Sequence, residues 1–364
     1  MPLAGPPPDA SRPLPRVTAV VVAFHSAADL PRCLRALLAS TDVDLDVVVV
    51  DNASADGSPD LVRALADADP RVRLLANPTN VGYAAAVDQA LAVSDAPVVA
   101  TVNPDVEVRA DLLARCAAEL DRDPGIGSVQ PTLLRRPAAG AAPAVVDTTG
   151  HVATRARLFR NRGEGSVWDP TRPPAREVFG VSGACAVYRR AMLDDVALDL
   201  PATRRRPARR EVFDADLFAF FEDVDLDWRA QLRGWRAVHV PEAVAVHERG
   251  GAGPRRTPHV ERLNAVNRLA VLVKCDDRRA LLRVLPLVVL TTLLKLVELA
   301  LTVPGAAVRL PVDAARTVPA VLAKRRLVQQ RATVAPAEVV ARWFGPLDWR
   351  GWVGGWWRRV RPGG

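Results

Sequence analysis

Cysteine is scarce in this chain. The four residues Cys33, Cys116, Cys185 and Cys275 lie far apart in 364 positions, with no C-x-x-C pair and no cysteine–histidine pairing. That excludes a readable zinc site or disulfide framework and fits a reducing compartment. Long uncharged apolar runs are missing as well: in the most apolar stretch, 280–303, the longest run is residues 284–294, too short for the roughly 18–20 residues of a spanning helix. No G-x-G-x-x-G follows the first strand-like run and no G-x-x-x-x-G-K-[ST] occurs anywhere, so the familiar backbone cradles for dinucleotides and nucleoside triphosphates are absent. The N-terminus MPLAGPPPDASRPLP has no apolar core and is broken by prolines, so it reads as a disordered leader over 1–16 and not as a signal peptide.

What is present is an ordinary globular composition, 49% apolar and 25% charged. The net charge of +8 is uneven. Residues 1–255 hold 30 Lys+Arg against 34 Asp+Glu, whereas residues 256–364 hold 19 against 7. A C-terminal third with a balance of +12 points to an anionic surface as its partner. Five of the eight tryptophans (343, 349, 352, 356 and 357) fall in that tail among arginines, a composition that anchors at membrane interfaces. Because they follow the apolar segment 280–303, whose Arg283, Lys295 and Glu298 suit a helix lying in or on an interface or a buried hairpin, a membrane surface is favoured over nucleic acid.

Toward the N-terminus, short β-branched runs at 17–24, 45–50, 71–76 and 96–102 alternate with helical patterns at 26–38, 58–68 and 84–92. Such alternation predicts an α/β fold with a mostly parallel sheet, whose strand ends gather ligands. The polar residues at those ends are His25, Asp51, Asn52, Asn77, Asn80, Asn103 and Asp105. Asp51 can accept hydrogen bonds from a base or ribose, and Asn80 with Gly82 forms a turn that lets backbone approach a ligand. Asp105 offers a hard oxygen to Mg²⁺ or Mn²⁺. The pattern weakens over 124–210, with an exposed basic loop expected at 204–210, and returns as a strand at 180–189, a helix ending near 232 and two short strands over 235–247. Glu222, Asp223, Asp225 and Asp227 crowd six positions, which suits a general base; Asp223 and Asp227 share a helix face, and two or three of the four acids are expected to be solvated helix-start charges. The remaining histidines, His25, His151, His239 and His259, are read as structural, and Ser182 and Gly183 as either sugar-adjacent or part of a close-packed strand.

The ordered set AFHSAADL, VVVVDNASADGS, NPTNVGYAAAVDQAL, TVNPDVEV, SGACAVYRR, FFEDVDLDWRAQLRGW and VHERGG resembles the family 2 nucleotide-sugar glycosyltransferases of the GT-A fold, and within them the bacterial rhamnosyltransferase branch. The resemblance covers about residues 17–255. It implies a catalytic domain over 17–255, and the composition of 256–364 reads as a helical, basic, membrane-docking segment, peripheral on the cytoplasmic face of the plasma membrane. It implies that Phe24 and Asp51 contact the nucleotide base, that Asn80 and Gly82 complete that pocket, and that Asn103 with Asp105 occupies the D-x-D-like metal position for Mg²⁺ or Mn²⁺. His247 would reach the diphosphate or metal, Asp223 would be the catalytic base and Glu222 its neighbour. The implied reaction is inverting transfer, with rhamnose from dTDP-rhamnose the leading donor, to a polyprenyl-linked or polysaccharide acceptor. The Arg-rich insertion at 199–210 is placed to touch an anionic acceptor. A galactofuranosyl- or mannosyl-type transferase of the same fold is the alternative. A non-catalytic glycan-binding scaffold is another, disfavoured because a binding module needs no base.

Overall fold

The computed structural model describes residues 13–136, 143–171, 175–202, 207–249 and 257–360. Most of the expected leader, residues 204–206 of the basic run and the proposed boundary at 255/256 lie outside them. Along the chain come β1 (Arg16–Ala23), α1 (Leu30–Leu38), β2 (Asp44–Asp51), α2 (Ser58–Ala68), β3 (Val72–Ala76), α3 (Tyr83–Ala92), β4 (Val98–Val102), β5 (Val106–Val108) and α4 (Leu112–Arg122). The middle holds β6 (Ile126–Arg135), β7 (Val146–Thr148), β8 (His151–Thr154), β9 (Phe159–Asn161), β10 (Arg176–Val178), β11 (Cys185–Arg189), α5 (Arg190–Val196), β12 (Leu198–Leu200), β13 (Arg209–Glu211), α6 (Glu222–Leu232) and β14 (Arg236–His247). The rest is α7 (Pro258–Cys275), α8 (Arg278–Thr302), α9 (Pro304–Arg331), α10 (Pro336–Trp343), β15 (Phe344–Gly345) and α11 (Trp349–Val360).

The central sheet runs β10-β14-β6-β11-β4-β1-β2-β3, with β5 added to β14 and β7 to β6. β3, β2, β1 and β4 are mutually parallel, and so are β6 and β14, while β11 lies antiparallel between the two groups. Because successive side chains of a strand point to opposite faces, Val17, Ala19 and Val21 of β1 pack with α1 and α4 on one side. Val20 and Val22 pack with α3, α5 and α6 on the other. Burial on both faces is why these strands read as unbroken β-branched runs.

Three local expectations change. The helix foreseen from Ser26 begins at Leu30, with Asp29 at its cap position and no side-chain cap. The strand foreseen over 180–189 is confined to β11, because 180–184 is a loop whose backbone amides serve the site. The two strands foreseen over 235–247 are one, β14, with a register shift between Val240 and Val244.

The C-terminal helices share a core with the sheet-bearing part: Trp228 and Leu232 of α6 and Phe179 pack with Val271 and Leu272 of α7, Val328 of α9 and Phe344. A buried ionic cluster reinforces that seam. Lys274 of α7 meets Asp214 and, at 2.6 Å, Asp225 of α6; Lys324 of α9 meets Asp214, Glu211 at 2.8 Å and Asp216 at 2.7 Å; Arg229 holds Asp225 at 2.8 Å. Helix α8, expected from its short uncharged run not to span, is long and apolar enough to cross a membrane by length and composition, and with only 22% of its most apolar window buried it is not a core helix.

Candidate active site

The carboxyl ends of β1 and β4, the 180–184 loop, the start of α6 and the start of α7 enclose one cleft of about 1020 Å³. Phe24, Asn52, Asn80, Gly82, Asn103 and Asp105 line one part of it, and Glu222 and Asp223 another.

Behind the first side, Asp51 closes β2; it is buried and is not itself among the residues that line the cleft. Its Oδ2 accepts the Ser54 amide at 2.9 Å, and its Oδ1 has no hydrogen-bond partner among the described residues. A buried acceptor left open in this way is costly unless a ligand donor meets it. Asn52, beside it, lines the cleft and donates to the Gly82 carbonyl at 3.3 Å. Asn80 Oδ1 accepts the Gly82 amide at 2.9 Å and fixes the turn into α3. Gly82 has φ +89°, and a Cβ there would lie 2.6 Å from the Phe218 ring and 2.7 Å from its carbonyl oxygen, so only glycine fits. Phe24, partly exposed, leans on His25 with ring centroids 4.3 Å apart.

Asn103 and Asp105 follow β4 in a turn closed by the Val106 amide and the Asn103 carbonyl. His247, at the end of β14, brings Nε2 to 3.3 Å from Asp105 Oδ1. Its Nδ1 is bonded at 2.7 Å to the buried Asp147, whose other oxygen is held by Arg249. Burial depresses the imidazole, but the Asp105 and Asp147 carboxylates outweigh it and raise the group to about 9. With Nδ1 held by Asp147, Nε2 is turned to Asp105, and only on losing its proton would that nitrogen be able to join the Asp105 carboxylate as a metal ligand. Among the described residues no three His, Cys, Asp or Glu side chains converge to hold an ion alone. Two protein ligands completed by diphosphate oxygens fit Mg²⁺ or Mn²⁺.

Across the cleft, α6 opens with its four acids. The expectation that two or three of them are solvated is corrected: Glu222, Asp225 and Asp227 are buried, and only Asp223 keeps part of its side chain, 18%, in solvent. The reason is that α6 is enclosed on nearly all sides by the sheet, α7 and β8. Desolvation, and then the neighbouring Asp223, push Glu222 up to about 8, and its Oε2 has no hydrogen-bond partner among the described residues. Asp223 accepts the Gly183 amide at 3.0 Å on Oδ2 and its neighbour's amide at 2.8 Å on Oδ1. His151, read from the sequence as structural, is buried at the cleft between Asp223 and Asp227. Asp147 was not singled out in the sequence at all. Both lie in the stretch of weak periodicity, and the local signal was the turn before β8, where Gly150 has φ +117°. His259, read as structural, lines the cleft from α7 with its ring 5.8 Å from that of Phe218.

Residues 18–197 match the family model described as Glycosyl transferase family 2. The chain is 29% identical over 265 residues to an N-acetylglucosaminyl-diphospho-decaprenol L-rhamnosyltransferase of Mycobacterium tuberculosis, covering 63% of this chain and 75% of that protein. It is 39% identical over 114 residues to the succinoglycan biosynthesis protein ExoO of Rhizobium meliloti, about a third of each chain. Its fold is similar to that of S. aureus TarS 1–349 solved with UDP-GlcNAc, with TM-score 0.50, 17% identity and 87% of both chains covered. It is also similar to GalNAc-T7 solved with UDP, GalNAc and Mn²⁺, with TM-score 0.55 and 15% identity over 74% of this chain and 49% of that one. The chain thus carries a glycosyl transferase family 2 domain on a GT-A fold and is a glycosyltransferase.

Proposed function

We propose that the protein transfers a sugar, best matched by rhamnose from dTDP-rhamnose, with inversion onto a lipid-linked or growing cell-envelope glycan at the cytoplasmic membrane face. The observation that carries this reading is that a single cleft is lined both by Asp105, backed by His247, and by the part-exposed Asp223. Phe24, Asn80 and Gly82 line the nucleotide end, and the open Oδ1 of Asp51 suits an N–H or O–H of base or ribose. Asp105 and His247, with Asn103 beside them, would hold a divalent ion, whose chemistry is to neutralise the leaving diphosphate.

In the reaction, Asp223 takes the proton of the acceptor hydroxyl as that oxygen bonds to the anomeric carbon from the face opposite the diphosphate. The bond from that carbon to the phosphate oxygen breaks, and its electron pair departs with the nucleoside diphosphate. Glu222, held near 8, keeps its proton at neutral pH and adds no second charge beside the base.

The choice of a lipid-linked acceptor is supported by α8. Leu282, Leu285, Val289, Leu293, Val297 and Leu301 recur at helical spacing and are exposed, forming one apolar stripe. Lys295 of α8 pairs with Glu261 of α7 at 2.7 Å, and Arg268 of α7 reaches Thr291 of α8 at 3.1 Å. These contacts set the two helices antiparallel, so the C-terminal end of the stripe lies beside the end of α7 that lines the cleft. An amphiphile resting on the stripe would have its sugar directed toward Asp223.

The test is calorimetric titration of dTDP-, UDP- and GDP-sugars with and without Mn²⁺, followed by turnover of wild type and Asp223→Asn. Expected are metal-dependent binding of dTDP-rhamnose and, for the variant, retained donor binding with turnover lowered about 10²–10⁴-fold, the usual worth of a general base. Binding of UDP-galactofuranose or GDP-mannose alone would replace the donor. Normal turnover by the variant would remove Asp223 from the role of base.

A further inference from the structure

His151 begins β8, is 6% exposed, and donates its backbone amide to the Gly180 carbonyl at 2.9 Å. Its ring bridges two acids that lie one helical turn apart on α6. Nδ1 stands 2.8 Å from Asp227 Oδ2, and Nε2 stands 3.6 Å from Asp223 Oδ2.

Asp227 is itself fixed. The Val181 amide donates to both of its oxygens at 3.0 Å, and a Cβ on Gly180 would fall 1.9 Å from Asp227 Oδ2, so the pair occupies space that only glycine leaves open. A buried histidine that merely satisfied itself would turn its second nitrogen to a carbonyl or hydroxyl. Here that nitrogen faces the residue assigned as base.

The charged and titratable groups around the ring are Asp223, Asp227 and Glu222 from α6, with Tyr83 of α3 and Tyr188 of β11 behind those acids. We propose, resting on the assignment of Asp223 as base, that His151 is a positioning residue. Its charged ring, anchored by Asp227, fixes the Asp223 carboxylate and offsets the negative charge that Asp227 brings against it. The state of the ring agrees: burial disfavours its charge, but Asp223 and Asp227 outweigh burial and raise it to about 9.

His151→Gln keeps hydrogen-bonding capacity and removes the charge. With a cation taken from within 4 Å of the carboxylate, the acidic limb of the kcat profile should move up by about one pH unit or more. Turnover should be lost mainly below pH 7 and recover toward pH 9, with donor affinity by calorimetry unchanged. A folded variant whose acidic limb coincides with that of wild type overturns the proposal, since a structural role moves activity without moving the limb.

Should His151→Gln not fold, nitrogen-15 NMR of the histidine rings in the wild-type protein decides. A His151 ring charged through pH 8 supports the role, and titration near 6.5 overturns it. Asp223→Asn is run alongside. If it turns over normally, the base assignment fails and this inference falls with it. If it is inactive while the His151→Gln limb is unmoved, only the role of His151 is lost.

Discussion

Replacing Lys274 by Met tests whether the C-terminal helices and the catalytic part are one cooperative structure. Lys274 is 1% exposed, and its ammonium lies between Asp214 and Asp225, the latter at 2.6 Å. Met fills similar volume, so little packing is lost, but two buried carboxylates each lose one of their cations. Asp225 keeps Arg229 at 2.8 Å, and Asp214 keeps Lys324. Breaking a buried pair from one side costs about 3–5 kcal/mol when the partner is stranded. Because each carboxylate here retains one cation, the lower figure applies, about 3 kcal/mol. The assay is urea unfolding followed by circular dichroism and tryptophan emission. Wild type should show one transition by both probes, and the variant a midpoint lowered by that free energy divided by the slope, with the slope itself unchanged. A loss under about 1 kcal/mol would refute the electrostatic reasoning. Two separated transitions in wild type would refute the single unit.

Three further outcomes are expected. Asp147→Asn removes the carboxylate that orients His247 and should weaken Mn²⁺ binding about 10–100-fold by calorimetry with donor present; unchanged affinity would remove His247 from the metal position. Gly82→Ala drives a Cβ into the Phe218 ring and carbonyl at a backbone conformation unsuited to alanine, so it should cost about 1–3 kcal/mol and displace the 217–221 loop that leads into Glu222 and Asp223; full activity with native stability would show that the loop tolerates the shift. Stability should also decline as pH rises from about 6.5 to 9.5. His151 binds its proton more tightly folded (about 9) than unfolded (about 6.5), so its contribution is complete below 6.5 and lost through 9. Glu222, raised to about 8, acts in the same direction from about 4.5 upward. Equal urea midpoints at pH 6.5 and 9.5 would contradict both.

The N-terminal half of the fold was legible because its strands are buried on both faces and its helices carry one apolar stripe, periodicities set by local geometry. Asp51, Asn80, Gly82, Asn103 and Asp105 were legible as candidates because strand ends in an α/β sheet are where ligands gather. His151 was not, since the strand it begins is only four residues long and its meaning comes from Asp223 and Asp227, more than 70 positions away. Nor was the state of the acids in α6: sequence shows four carboxylates at a helix start, and solvation is the ordinary outcome for such residues.

The sequence by itself determined the alternation of strand and helix, the acids available for chemistry, and the excess of positive charge and tryptophan in the last third. Tertiary structure alone decided which acid meets solvent, which histidine faces which carboxylate, and that Lys274 and Lys324 lock the C-terminal helices onto α6. The physical reason is that periodicity is a property of neighbours along the chain. Desolvation and Coulomb energy depend on distance in space, and the groups concerned are brought within a few ångströms only when the sheet and the helices pack.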